Sequence, residues 1–277
     1  MKKFNNQKNK QIVFDFGENW KNYSYNAISK QKIKEAKKDF KKLFNKIDLK
    51  GKTFIDIGFG QGLSLLIAQQ LEAKPVGCEI NRRCLRALLI NQKKFFKKAE
   101  KIPVVIGSIL DQKTIQKLKK INLKKKDSKF QIVHSWGVLH HSGKMWKAIN
   151  NAVSLVTENG YLAISIYNKH WSSPFWHKVK YFYNISPRLI RRLLIFIFYW
   201  IIFIGKFIIT GEDPFKLKRG MDYYFNIIDW VGGYPYEYAS IKEVKKYIEL
   251  KGFRTIKVIP AQMPTGCNEF VFIKKKE

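Results

Sequence analysis

The sequence is short of acid. Against 53 Lys and Arg stand only 21 Asp and Glu, a formal net charge of +32 over 277 residues with a pI near 10.0. Such a surface repels cationic partners and attracts anionic ones, a nucleic acid or an anionic membrane. Of the two a membrane surface is preferred, because no appended RNA-binding module can be read in the chain. A biased composition is the competing reading, since Lys, Asn, Ile and Phe are all abundant. It accounts for a Lys-rich surface, with clusters at Lys37-Lys38, Lys41-Lys42 and Lys124-Lys125-Lys126, but not for the shortage of Glu. Cysteine is scarce as well. Cys78, Cys84 and Cys267 form no Cys-x-x-Cys, which argues against a disulfide framework or a metal site and for reduced thiols in a cytoplasmic protein. The opening residues are polar as far as Gln11 and lack the apolar core of a signal peptide; this segment is expected to be mobile. No internal repeat is evident, and the Gly-x-Gly-x-x-Gly of dinucleotide-binding sheets is missing.

What is present is ample material for a core, with 45% hydrophobic residues. Ile33, Ala36, Phe40, Leu43, Phe44 and Ile47 recur at helical spacing and predict an amphipathic helix over 29–47 with a Lys-rich outer face. Strands are expected at Thr53–Ile57, Pro75–Glu79, Val104–Ile106, Gln131–Ser135 and Tyr161–Tyr167, the last entered through an Asn159-Gly160 turn. Helices are expected between them, over 63–71, 81–98, around Ile115 and Leu118, and over 144–156. Ser240-Ile241-Lys242-Glu243 has the spacing of a capping box and Gly252 fits a helix stop, before two final strands at Phe253–Ile259 and Glu269–Ile273. Strands alternating with helices imply an α/β fold, a doubly wound and mainly parallel sheet whose ligands sit beyond the carboxyl ends of the strands.

Residues 169–239 fall outside this plan. They are rich in aromatics and include the uncharged run Leu193–Gly205, between Arg191-Arg192 and Lys206. The run is shorter than the roughly 20 residues that cross a bilayer. Apolar all round, it must be buried as a core helix of an inserted cap, lie in lipid as an anchor flanked by snorkelling cations or as a true span, or contact another chain.

The densest local signal is Phe54-Ile55-Asp56-Ile57-Gly58-Phe59-Gly60-Gln61-Gly62, followed at once by an apolar helix pattern. A strand ends in an acid, glycines allow a sharp turn and a close ligand, and the helix start offers free N–H groups. This arrangement resembles the first motif of the class I S-adenosylmethionine-dependent methyltransferases. The resemblance continues in Ser135-Trp136-Gly137-Val138-Leu139-His140-His141, which is similar to the Val-Leu-His-His segment of small-molecule methyltransferases, including the ubiquinone-biosynthesis type. Phe16-Gly17-Glu18-Asn19-Trp20, Ile166-Tyr167-Asn168, Asp229–Glu237 and Cys267-Asn268-Glu269-Phe270 add to it, so that it spans about residues 14–274. No Asp-Pro-Pro-Tyr or Asn-Pro-Pro-Tyr follows strand four, unlike the adenine-N6 and glutamine-N5 methylating groups.

The resemblance implies a Rossmann-like seven-stranded sheet closed by a C-terminal antiparallel hairpin, with a helical, apolar insertion after strand five. The chain then divides into an N-terminal lid and helix (1–50), a cofactor-binding core (51–168), the insertion as acceptor cap or membrane contact (169–239), and a completing helix and two strands (240–277). S-adenosylmethionine is the implied cofactor. Asp56, Gly58, Gly60, Gly62, Glu79, Ser108, Ile109 and Ser135 are the residues expected to hold it. Glu79 ends strand two, where a carboxylate can accept both ribose hydroxyls, as acids do in related sheets. Ser108 stands where many relatives carry the Asp that meets the adenine. His140 or His141 is the expected base, since imidazole titrates near neutrality; simple packing is the alternative for both. Trp20, Tyr167, Asn168, Trp230, Tyr234 and Tyr236, with Asp229, are expected around the acceptor, and Phe16–Trp20 is expected to fold over the site. The expected activity is methylation, at oxygen, of a small or lipid-like acceptor; an RNA methyltransferase and a non-catalytic membrane-associated protein are the other readings.

Overall fold

The computed structural model describes residues 12–45, 47–121, 128–216 and 218–276. The polar start and the Lys124-Lys125-Lys126 cluster lie outside the described residues. Seven strands form one sheet in the order β3-β2-β1-β4-β5-β7-β6. They are β1 Thr53–Ile57, β2 Lys74–Glu79, β3 Val104–Ile106, β4 Phe130–Trp136, β5 Val156–Tyr167, β6 Phe253–Ile259 and β7 Cys267–Lys274. β1 pairs parallel with β2 and β4, and β5 pairs parallel with β4. β7 runs antiparallel to β5 and β6. The sheet is thus the Rossmann-like one expected, with its hairpin at the end. The order reverses between β1 and β4, which opens a crevice at their carboxyl ends.

The central strands are buried on both faces, as a parallel sheet between helical layers requires. One layer packs Ile55, Val133, Leu162 and Phe270 against Ile149, Val244 and Ile248. The other packs Phe54, Ile132 and Val271 against Phe40, Phe44, Leu66 and Leu88. The helices begin where capping side chains permit: Ser29 caps α2 (Lys30–Leu43), Asn81 caps α4 (Arg82–Phe95), and Ser240 with Glu243 closes the capping box expected ahead of Ile241–Glu249.

Three features differ from the sequence expectation. Residues 16–26 form a helix, α1 (Phe16–Asn26), capped by Asp15 and laid across α4. Asn159-Gly160 does not precede β5 but sits inside it: Phe130 pairs with Val156 and Ile132 with Tyr161, so the extra residues loop out as a bulge with Asn159 at φ 55°. The apolar run of the insertion is part of a much longer helix. α7 (Ser173–Ile185) leads to α8 (Arg188–Thr210), and α9 (Tyr223–Gly232) returns to the core. With 23 residues α8 is long and apolar enough to cross a membrane, yet along its most apolar stretch only 6% is buried. The core-helix reading of Leu193–Gly205 therefore gives way: Ile195 and Phe198 pack inward, and most of the run faces out.

Candidate functional site

A cavity of about 1100 Å³ occupies the crevice at the carboxyl ends of β1, β2 and β4 and continues under the insertion. Its floor is the glycine turn. Gly58 has φ 73°, a region where a side chain is strained, and a Cβ there would lie 2.4 Å from Val138 Cγ1. Gly58→Ala is therefore expected to cost at least about 2 kcal/mol, read as a lowered midpoint in urea unfolding. Gly60 faces the cavity, with Trp20 of α1 lying over it: a Cβ at Gly60 would meet Trp20 Nε1 at 3.2 Å. Gly62 has a framework role instead. It is the left-handed N-cap of the next helix (Leu63–Gln70), closed against Leu88, and it is not on the cavity wall.

Glu79 ends β2 at the cavity wall. Its Oε2 accepts from the Gly60 N–H at 3.2 Å, and its Oε1 accepts from the Ile80 and Asn81 N–H groups at 2.9 and 3.1 Å. The carboxylate thus ties the glycine turn to the start of α4. Burial raises its pKa, and these backbone donors and the Cys84 thiol pull against that shift. Ser108 and Ile109 also line the cavity. Ser135 does not: its hydroxyl donates to the Ile57 carbonyl at 2.8 Å on the opposite side of β4. Side chains alternate along a strand, and the alternation sends His134 and Trp136 to the cavity.

Asp56 lies on the wall in a chain of contacts the sequence did not announce. Its Oδ1 is 2.7 Å from His134 Nδ1, its neighbour in the β1–β4 register. His134 Nε2 faces Arg219 Nη2 at 3.4 Å. Because a guanidinium only donates, Nε2 is the acceptor and Nδ1–H donates to Asp56. Arg219 is itself held in a left-handed conformation, its N–H bonded to Asp39 at 2.6 Å. Its guanidinium stacks 4.4 Å over the Trp136 ring, 3.9 Å from Glu269 Oε2. Burial lowers its pKa and Glu269 opposes the shift.

The two histidines part company. Both belong to the short turn Leu139–His141. His140 is fully buried and off the cavity wall; its Nδ1 accepts from the Tyr167 N–H at 3.3 Å, and burial takes its pKa well below the ordinary value. His141 lines the cavity with Nδ1 2.7 Å from the Pro235 carbonyl, so Nδ1–H donates and Nε2 keeps a free lone pair. Burial, with Lys180 nearby, brings it down to about 3.

Of the residues expected around an acceptor, Trp20, Tyr167 and Trp230 line the cavity. Asn168, Tyr234 and Tyr236 do not. Asn168 binds the Pro264 carbonyl and the Asn268 amide, joining β5 to the β6–β7 connection. Tyr234 packs on His177 and Tyr181, and Tyr236 is buried against Tyr167. Asp229 of α9 is on the wall. Asn19 Nδ2 donates to its Oδ1 at 3.4 Å, and burial pushes its carboxyl up to about 7. Behind it Lys180 is fully buried, 4.4 Å from the Trp230 ring centre and 4.9 Å from that of Tyr236, and desolvation takes it down to about 7.

Among known proteins, the family described as a methyltransferase domain matches residues 28–195. No curated protein matches the chain. Solved structures share the fold. An S-adenosylmethionine-dependent methyltransferase from Anabaena variabilis ATCC 29413 aligns with TM-score 0.54 at 12% identity, over 95% of this chain and 97% of that one. Magnesium protoporphyrin IX methyltransferase from Synechocystis PCC 6803, with bound SAH, aligns with TM-score 0.52 at 12% identity, over 88% and 83%. An O-methyltransferase family protein from Burkholderia thailandensis gives 0.52 at 10% identity, over 88% of this chain but only 57% of that one.

Proposed function

The chain belongs to the methyltransferase-domain family, whose match spans residues 28–195, and from that premise we propose that it methylates a small, largely apolar acceptor at oxygen with S-adenosylmethionine as donor. The observation that carries this reading is the continuity of one cavity, from the glycine turn and Glu79, past Asp229 and His141, to Ile201 and Ile209 of α8. Its volume of about 1100 Å³ is at the top of the range that encloses a single ligand, which suits a donor and an acceptor side by side.

The residues present fit the donor. Gly60 and Trp20 both line the cavity beside Glu79, and Glu79 Oε2 carries a single backbone bond, leaving it able to accept from a hydroxyl. Ser108 and Ile109 would flank the base. When bound, the donor supplies a methyl group already activated by a positive sulfur, so the protein mainly aligns the acceptor and excludes water.

Proton removal falls to Asp229. A base serves best when its pKa lies near the working pH, and a carboxyl pushed up to about 7 meets that condition, whereas an imidazole brought down to about 3 does not. His141 Nε2, whose lone pair is free on the cavity wall, instead accepts from a second donor group of the acceptor and orients it, while the reacting hydroxyl points its proton at Asp229. The apolar lining from Trp230 and α8 suits an aromatic or lipid-like body.

The test is methyl-labelled S-adenosylmethionine incubated with the protein and a cell lysate, then separated into lipid, soluble small-molecule and RNA fractions. Label in the lipid or small-molecule fraction, stable to mild base as an ether or released by it as an ester, supports the reading. Label in RNA, or none in any fraction despite donor binding, overturns it.

A further inference from the structure

α8 presents an apolar stripe that the rest of the fold leaves uncovered. Leu189, Leu193, Phe196, Trp200, Ile204 and Phe207 follow one another at three- and four-residue spacing and are between 51% and 76% exposed. The opposite side of the helix is used: Ile195 and Phe198 pack with Tyr223, Ile227 and Val231. Phe175, Phe182 and Ile185 of α7 are exposed in the same way, at helical spacing. A contiguous apolar surface of this extent is uncommon on a soluble monomer and marks a contact with another phase or another chain.

We propose that this face docks in the interface of an anionic bilayer, with α8 lying in the membrane plane, and that docking sets the mouth of the cavity against lipid. Charge selects the occupant. Arg188 and Arg192 are exposed at the start of α8 and Lys178 on α7, on a chain of net charge +32. A second copy would bring the same charge to the contact, whereas anionic headgroups complement it at about 1 kcal/mol per basic residue near the surface. The in-plane arrangement follows from packing, since a spanning helix would have to leave α9 and the cluster around Tyr223. Trp200 sits mid-stripe, a side chain suited to the boundary between acyl chains and headgroups.

The mouth follows from the same helix. Ile201 and Ile209 are about half exposed and also line the cavity, with Gly205 between them. An acceptor group carried on an acyl or polyprenyl chain would thus enter sideways from the bilayer without crossing water. This delivery rests on the methyltransferase reading; the docking itself does not.

The experiment is sedimentation of the full-length protein with vesicles of phosphatidylcholine, with and without a phosphatidylglycerol fraction of about one third. The expected result is pelleting with anionic vesicles that weakens as salt rises. Phe196→Glu/Ile204→Glu, both at exposed positions, is expected to lower partitioning at least about tenfold, and Leu250→Glu, exposed just past the helix Ile241–Glu249, to leave it unchanged. Far-ultraviolet circular dichroism shows that the variants are folded, and calorimetry with S-adenosylhomocysteine on the same samples keeps failure of the methyltransferase reading apart from failure of the docking. Absence of pelleting, or equal pelleting of the Phe196→Glu/Ile204→Glu variant, overturns the proposal. So does a dimer in light scattering that the same variant dissolves while vesicles leave the protein in solution, which assigns the face to a second copy.

Discussion

Asp229→Asn is expected to lower kcat by roughly 10²–10⁴-fold while leaving affinity for S-adenosylhomocysteine unchanged. The carboxyl group lines the cavity and burial pushes it up to about 7, so the rate of the parent should rise with pH through about 7 and then level. The Asn variant keeps the shape of the side chain and the Asn19 contact but has no proton site, and its residual rate should lose that inflection. His141→Ala should retain the inflection and raise KM, because it removes a hydrogen bond to the acceptor rather than the proton sink. An inflection that survives in the Asn variant and vanishes in the His141→Ala variant would sink this assignment. The same buried charges shape stability. Between its ordinary range and about 7, Asp229 binds more proton folded than unfolded, so stability falls as pH rises there. Lys180 is opposite: from about 7 up to its ordinary value near 10.5 the unfolded chain binds more proton, so stability rises with pH. Together they place a minimum near 7. The double substitution Lys180→Met/Asp229→Asn should flatten it, measured as Tm across that range.

Glu79→Ala is expected to weaken binding of S-adenosylhomocysteine at least about 100-fold, the equivalent of one or two charge-assisted hydrogen bonds. Two losses combine. The Oε2 that can take a hydroxyl disappears, and the Gly60, Ile80 and Asn81 N–H groups lose their shared acceptor, which frees the glycine turn. Titration calorimetry measures the affinity, and an unchanged far-ultraviolet spectrum would show that the sheet persists. Binding within a few-fold of the parent would mean that the carboxylate only braces the turn.

Much of this was legible from local pattern. β1 and β3 lie where the apolar runs put them, and the capping box at Ser240 formed as its spacing required. The helix α1 was hidden because Phe16–Asn26 carries few apolar residues and is stabilised by what it lies on rather than by propensity. The length of α8 was hidden because the charges at its ends read as boundaries, while arginines and lysines are good helix formers. At the site, the glycine turn and Glu79 are adjacent to their partners in sequence or in a neighbouring strand, so a motif could find them. Arg219 meets His134 across 85 positions, and Lys180 reaches Trp230 across 50; no spacing rule spans such distances. Ser135 and His140 were separable in principle. Strand alternation turns Ser135 away from the cavity, and the short turn after β4 can send only one of two adjacent histidines outward.

The clasp between the chain's beginning and the end of the insertion sets a timetable for biosynthesis. Asn19 of α1 bonds the Phe225 carbonyl at 3.1 Å, Tyr23 bonds the Gly220 carbonyl, and Lys32 meets Asp222 at 2.7 Å. These pairs are separated by 206, 197 and 190 positions. At about 5–20 residues per second on the ribosome, the first segment waits on the order of ten to forty seconds for its partners to emerge. Until then α1 and α2 lack these partners, and the apolar α8 is synthesised before the residues that hold the insertion to the core. A nascent chain arrested shortly after Thr210 should therefore be far more sensitive to protease within residues 16–43 than one released past Gly233.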